Sequence, residues 1–215
     1  RRCLSLIWGP PGTGKTTTGA GLAAAELWLA VTRQMPQKLL ITGPNYQTVE
    51  NFYSDLLPLL LALGPDAARV RWIERRELGE PDLEALLDYR RCDRKSLEVL
   101  RAEMEEGDKP TIVFAVTAQL FNLANLPSPR GKKSAAVPAL EMFDLVMVDE
   151  ASQVDVASAI GALAELAPSG RLVLLGDRLQ MPPISKVESP KGCEHLVGSI
   201  LDYFQVRFGE IEAYP

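Results

Sequence analysis

The stretch Leu6–Ala24, LIWGPPGTGKTTTGAGLAA, crowds glycines and two prolines between an apolar run and an alanine-rich one. Leu4–Trp8 reads as a short buried strand and Lys15–Thr32 as a helix rich in Ala and Leu. Between them Gly9, Gly14, Lys15 and Thr16 satisfy G-x-x-x-x-G-K-[ST]. In such a loop the glycines let the backbone wrap, so that its N–H groups point inward at a polyphosphate. The first turn of the helix adds its own unpaired N–H groups and a positive dipole end. The cradle is expected to comprise Gly9, Pro10, Pro11, Gly12, Thr13, Gly14, Lys15, Thr16 and Thr17. Lys15 would reach the β- and γ-phosphates, and the Thr16 hydroxyl would hold Mg²⁺. The motif implies that the chain binds a nucleoside triphosphate, ATP with Mg²⁺.

Working outward, 215 residues suffice for one sizeable core with room for a small insertion. A hydrophobic content of 47% and a charged content of 24% are ordinary for a globular protein. No apolar run approaches the roughly 18 residues of a membrane span, and no membrane partner is expected. Leu56–Leu63, broken by Pro58, reads as a buried helix segment. Cys3, Cys92 and Cys193 form no C-x-x-C pair, which argues against a disulfide framework and for a reduced, intracellular setting, cytoplasm or nucleoid or nucleus. Cys193 and His195 lack the further ligands of a zinc site. The net charge of −5 argues against strong non-specific nucleic-acid binding by this chain alone. The absence of an initiator Met and the opening on a core strand point to a piece of a longer protein, expected to be monomeric.

Further along, Lys38–Gly43, Arg69–Ile73, Thr111–Val116, Phe143–Val148 and Arg171–Leu175 read as strands. Helices are expected over about Gln47–Leu63 and Val154–Ala167. Strands that are apolar throughout and alternate with helices indicate a parallel sheet covered on both faces, a three-layer α/β domain. Residues 74–109 are rich in charges of both signs, with Leu83, Leu86, Leu87, Leu97, Leu100 and Met104 at helical spacing, and read as a solvated helical insertion. Residues 127–138, with Arg130, Lys132 and Lys133 among Pro, Ser and Ala, read as a basic mobile loop.

A second motif narrows the task. Asp149 and Glu150 end a buried strand, where a doubly wound sheet places its ligands. Asp149 suits the holding of Mg²⁺, and Glu150 then lies where it can orient and deprotonate an attacking water. A small-molecule kinase has no need of an acid aimed at water, so the pair indicates a hydrolase.

GPPGTGKT, DEASQ (Asp149–Gln153) and GDRLQMPP (Gly176–Pro183), in that order, resemble superfamily 1 helicases, in particular the 1B branch containing the nonsense-mediated-decay helicase. TGPNYQTVENF (Thr42–Phe52), VTAQL (Val116–Leu120) and GSILDYF (Gly198–Phe204) extend the resemblance over nearly the whole chain. It implies a RecA-like P-loop NTPase fold for residues 1–215, the first motor domain of a helicase that couples ATP hydrolysis to translocation on, or unwinding of, DNA or RNA. It implies Lys15, Asp149, Glu150 and Gln180 as catalytic residues, with Gln180 sensing the γ-phosphate, and Thr16 and Asp149 as Mg²⁺ ligands. Thr42, Asn45 and Thr117 would offer neutral hydrogen bonds to the backbone of a single strand of DNA or RNA. The 74–109 segment falls where this branch carries a helical insertion.

The departures are specific. Met181 stands where the family has Leu, and Asn45-Tyr46 where it has Thr-Asn. Tyr46 can either stack on a base or pack into the domain. The family's adenine-reading Gln and its second RecA-like domain, with the arginines that complete the ATP site, are not in this sequence. The isolated chain is therefore expected to bind ATP and to hydrolyse it poorly. Two alternatives remain: a nucleotide-dependent switch or scaffold that does no unwinding, and an AAA+ ring ATPase. The latter calls for a polar sensor at the end of RLVLL and a helical lid, where this chain has GDRLQMPP.

Overall fold

Runs that are apolar at nearly every position can be satisfied only by cover on both faces, and in this chain those runs form the middle of one sheet. The computed structural model describes residues 3–73, 87–93, 95–124, 141–177, 179–181, 183, 191–192 and 196–208. Its strands are β1 (Cys3–Trp8), β2 (Lys38–Gly43), β3 (Arg69–Ile73), β4 (Asp88–Cys92), β5 (Thr111–Val116), β6 (Phe143–Val148) and β7 (Leu166–Gly176). They make a seven-stranded sheet in the order β1-β7-β6-β2-β5-β3-β4, and every pairing is parallel.

Alternate strand residues feed two cores. On one face α1 (Lys15–Thr32) and α2 (Tyr46–Leu63) bury Ala23, Leu27, Phe52 and Leu56 against Leu39, Ile41, Phe114 and Val173. On the other lie α3 (Leu97–Glu106), α4 (Thr117–Ala124), α5 (Val156–Ala164) and α6 (Ile200–Phe208), whose Leu100, Leu120, Ala162 and Leu201 meet Leu40, Val113, Val146 and Leu174. Each large apolar side chain so buried stabilises the fold by roughly 1.5–3 kcal/mol. Trp72 stacks on Phe114 at 5.1 Å between centroids, and Tyr53 meets both rings edge-on. The Leu56–Leu63 segment is helical, as expected, with Pro58 inside it and Leu56 and Leu60 buried. Among the described residues no helix is long and apolar enough to cross a membrane.

The charged excursion is the main correction. Residues 74–86 lie outside the described part, but 87–109 do not form a solvated helical appendage. Asp88–Cys92 is a strand that extends the sheet beside β3, and Leu97, Leu100 and Met104 of α3 are fully buried in the core. Several of the charges that read as a solvent face are paired. Arg71, 1% exposed, donates from Nε to Glu103 Oε2 (2.8 Å) and from Nη1 to Asp88 Oδ1 (3.0 Å). Arg90 also pairs with Glu103, and Lys109 with Asp88. Burial opposes the charge on Arg71, while Glu103 and Asp88 outweigh it and hold its guanidinium above its ordinary value. The 127–138 loop, Cys193 and His195 lie outside the described residues.

The helix expected over Val154–Ala167 is shorter, because Asp155 caps its start by accepting from Ser158 N (2.9 Å) and the chain turns into β7 after Glu165. Glu165 is fully buried, and neither carboxylate oxygen has a hydrogen-bond partner among the described residues. Burial pushes this carboxyl up to about 8, against the pull of the Arg101 guanidinium. A folded-state value above the unfolded one means that folding favours the protonated form. That stability is present below about pH 4.5 and is lost as pH rises toward 8. Each pH unit within the window costs about 1.4 kcal/mol. Glu165→Gln, which does not titrate, is expected to melt increasingly above wild type between pH 5 and 8. A melting difference independent of pH would show that Glu165 ionises freely in the folded state.

Candidate nucleotide site

Parallel pairing gathers the C-terminal ends of β1, β2, β6 and β7 on one rim. Trp8 lies beside Gly176, and Val148 lies beside both Thr42 and Leu174. The loop leaving β1 is pinned to that rim, since Gly9 N donates to the Gly176 carbonyl (3.2 Å). Gly12 and Gly14 have φ of 77° and 81°, left-handed backbone that side-chain-bearing residues rarely adopt. Thr13 Oγ1 donates to the Pro10 carbonyl (2.8 Å) and closes the loop. A Cβ at Gly9 would come within 2.8 Å of that same hydroxyl oxygen. Gly14 caps α1 without any side-chain hydrogen bond, leaving the first-turn N–H groups for an anion.

Within the cradle the Lys15 ammonium donates to the carbonyls of Gly9 (2.8 Å) and Pro10 (3.0 Å). Thr16 Oγ1 donates to Asp149 Oδ2 at 3.0 Å, joining the two residues that sequence reasoning assigned to a metal. Thr17 Oγ1 donates to Asp55 on α2 (2.8 Å). Asp149 is buried, its N–H donates to the Thr42 carbonyl (2.8 Å), and its Oδ1 accepts from Glu150 N (2.9 Å). Burial pushes its carboxyl up to about 6, with the Glu150 charge adding to the rise and the Glu150 N–H, Thr16 and Lys15 opposing it. A hydroxyl and a carboxylate in contact are hard oxygen donors that fit Mg²⁺, an ion that retains several waters and takes few protein ligands. Glu150 has φ 51°, a left-handed conformation that a non-glycine residue holds at a cost of about 1–3 kcal/mol.

Gln180 arrives on the same rim from the turn after β7, where its N–H donates to the Asp177 carbonyl (3.3 Å). Its Oε1 accepts from Ser152 Oγ (3.3 Å) and Gln153 Nε2 (3.1 Å). Sequence reasoning quoted DEASQ for its resemblance and assigned Ser152 and Gln153 no role. Only the three-dimensional contact marks them.

The residues expected to touch nucleic acid fare differently. Thr42 is fully buried and its hydroxyl has no partner among the described residues, while Thr117 opens α4 at 6% exposure. Asn45 is exposed, but its Oδ1 accepts from Thr48 N (3.0 Å) to cap α2. The rim thus offers Asn45 alone of these side chains to solvent, because β2 and β5 carry apolar cover to their ends. Tyr46 is half-buried against the α2 core, and its hydroxyl accepts from Gln119 Nε2 (2.5 Å). Packing, rather than a free stacking face, describes it.

A parallel sheet with a phosphate loop at the end of β1 and paired acids at the end of β6 defines a RecA-like P-loop NTPase domain. The sequence matches the AAA domain family over residues 1–186, and the chain belongs to that family. Its relatives include the DNA polymerase alpha-associated DNA helicase A of Saccharomyces cerevisiae, 25% identical over 223 residues, 89% of this chain and 32% of that protein. The DNA-binding protein SMUBP-2 of Mus musculus is 28% identical over 84% of this chain and 20% of its own length. The DNA replication ATP-dependent helicase/nuclease DNA2 of Xenopus laevis is 29% identical over 85% of this chain and 14% of its own. The chain spans a third or less of these relatives, and the RecA-like domain is of the superfamily 1 helicase type.

Proposed function

We propose that residues 1–215 are the first motor domain of an ATP-dependent superfamily 1 helicase, coupling ATP hydrolysis to translocation on, or unwinding of, a nucleic acid. The observation that carries this reading is the convergence of Lys15, Thr16, Asp149, Glu150 and Gln180 on one rim of the sheet. The relatives' names support DNA over RNA as the strand. The work requires a second RecA-like domain to supply arginines, and the setting is intracellular.

In this reading the loop N–H groups and Lys15 bind the polyphosphate, with Lys15 exchanging its carbonyl partners for phosphate oxygens. Thr16 and Asp149 hold Mg²⁺, which when bound offsets charge on the phosphates. Glu150 accepts the proton of the attacking water. Gln180 donates to the γ-phosphate and loses that partner when the phosphate leaves, which frees the turn after β7 to shift.

Turnover by the longer protein, with and without a single-stranded oligonucleotide, tests this. Strong stimulation is expected in wild type. Gln180→Ala should keep ATP affinity within a few-fold and lose most of the stimulation, with unwinding falling alongside. Wild-type turnover indifferent to oligonucleotide would favour the switch or scaffold alternative. Stimulation unchanged in Gln180→Ala would leave Gln180 as a turn residue.

A further inference from the structure

The contacts around Gln180 run in one direction. A backbone N–H can only donate, so Asp177 N gives its hydrogen to Ser152 Oγ (3.5 Å). Ser152, itself buried, then turns its O–H onto Gln180 Oε1 (3.3 Å). Gln153 Nε2 adds a second hydrogen to the same oxygen (3.1 Å). In this arrangement Oε1 receives both donors, and the Gln180 amide is oriented by them. Gln180 Nε2, which has no partner among the described residues, is left with its hydrogens to donate.

Gln153 reaches the other way as well. Its amide nitrogen carries two hydrogens, and the one not on Gln180 faces Glu150 Oε2 at 3.5 Å. Its backbone N–H donates to the Glu150 carbonyl (2.8 Å), across the turn that holds Glu150 at positive φ. One exposed glutamine therefore touches the residue read as base, 3 positions before it, and the residue read as phosphate sensor, 27 positions after it.

We infer that Ser152 and Gln153 are positioning residues, a hydrogen-bonded relay that sets the Gln180 amide with its N–H groups toward the γ-phosphate and ties that setting to the Glu150 carboxylate. The inference rests on the helicase reading and deepens it. When the phosphate leaves and the Gln180 turn shifts, the relay carries the shift to Glu150, so the base is correctly set only while the sensor is engaged. Gln153 is not assigned to the phosphate or the water. It acts through its two neighbours.

A double-mutant cycle in the longer protein tests the relay, with Gln153→Met chosen because it keeps length and removes both donors. Oligonucleotide-stimulated turnover is expected to fall by roughly 10- to 100-fold, the scale of a misplaced reacting group, with ATP affinity within about twofold. The combination with Gln180→Ala should be no slower than Gln180→Ala alone, since the two act as one unit. Ser152→Ala should fall in the same direction, with Gln180→Ala again masking it. Full additivity of Gln153→Met with Gln180→Ala, in a protein whose wild type is stimulated, overturns the relay and leaves the helicase reading standing. A wild type without stimulated turnover overturns both. Loss of ATP affinity in Gln153→Met matching its loss of rate would assign Gln153 to binding and overturn the relay too.

Discussion

Lys15→Ala is expected to lower ATP turnover by the longer protein roughly 10³-fold, with unwinding lost in step. Removing one preorganised electrostatic group from a phosphate-transfer site has about that effect, and two features of this site push toward the upper end. Lys15 is buried and supplies the one ammonium inside the described cradle. It also holds the loop together, because its Nζ bridges the carbonyls of Gly9 and Pro10. The alanine variant loses a phosphate contact and the clasp that keeps those carbonyls turned inward. ATP affinity should fall with turnover. Equilibrium nucleotide binding and steady-state rates on both proteins check it, and turnover within tenfold of wild type would remove Lys15 from the site.

Glu150→Gln is expected to separate what Lys15→Ala removes together. The amide keeps the size of the side chain and cannot take a proton from water, so turnover should fall by roughly 10²–10⁴-fold, the usual contribution of a general base. Nucleotide and Mg²⁺ binding should survive within a few-fold, because Thr16 and Asp149 are untouched and the Glu150 N–H to Asp149 Oδ1 bond belongs to the backbone. The variant should therefore hold ATP through many wild-type turnover times, which single-turnover chemistry and nucleotide release would measure. Loss of nucleotide binding as complete as in Lys15→Ala would show that Glu150 serves the fold of the cradle, and the base would have to be sought elsewhere.

What could be read from the sequence follows from what each residue must satisfy locally. Lys38–Gly43, Thr111–Val116 and Phe143–Val148 were legible to the residue because both faces of those strands are buried and composition alone marks them. Asp88–Cys92 was not, since DYRRC looks solvated until Asp88 and Arg90 find their partners in Arg71, Lys109 and Glu103. The phosphate loop was legible because its requirement for turns, a cation and a hydroxyl is met within eight consecutive residues. The Ser152–Gln153–Gln180 contact was not, because it joins two turns brought together only by the pairing of β6 with β7. Thr42 misled for a related reason: its place at a strand end matched a motif, and burial took its hydroxyl off the surface.

The strand order has a consequence for how the protein is made. β1, which carries the phosphate loop, enters the sheet only through β7, with Cys3 paired to Arg171. A nascent chain ending at residue 165 would already contain every cradle residue, both acids and the whole of β2, β3, β5 and β6, with nothing for β1 to pair with. Closing so long a loop is entropically slow and leaves apolar strand exposed meanwhile. Nucleotide cannot template the early stages, because its binding surface does not exist until β7 has slotted between β1 and β6. Within this domain the nucleotide rim is thus completed only once β7 has been made, although its phosphate loop is made first.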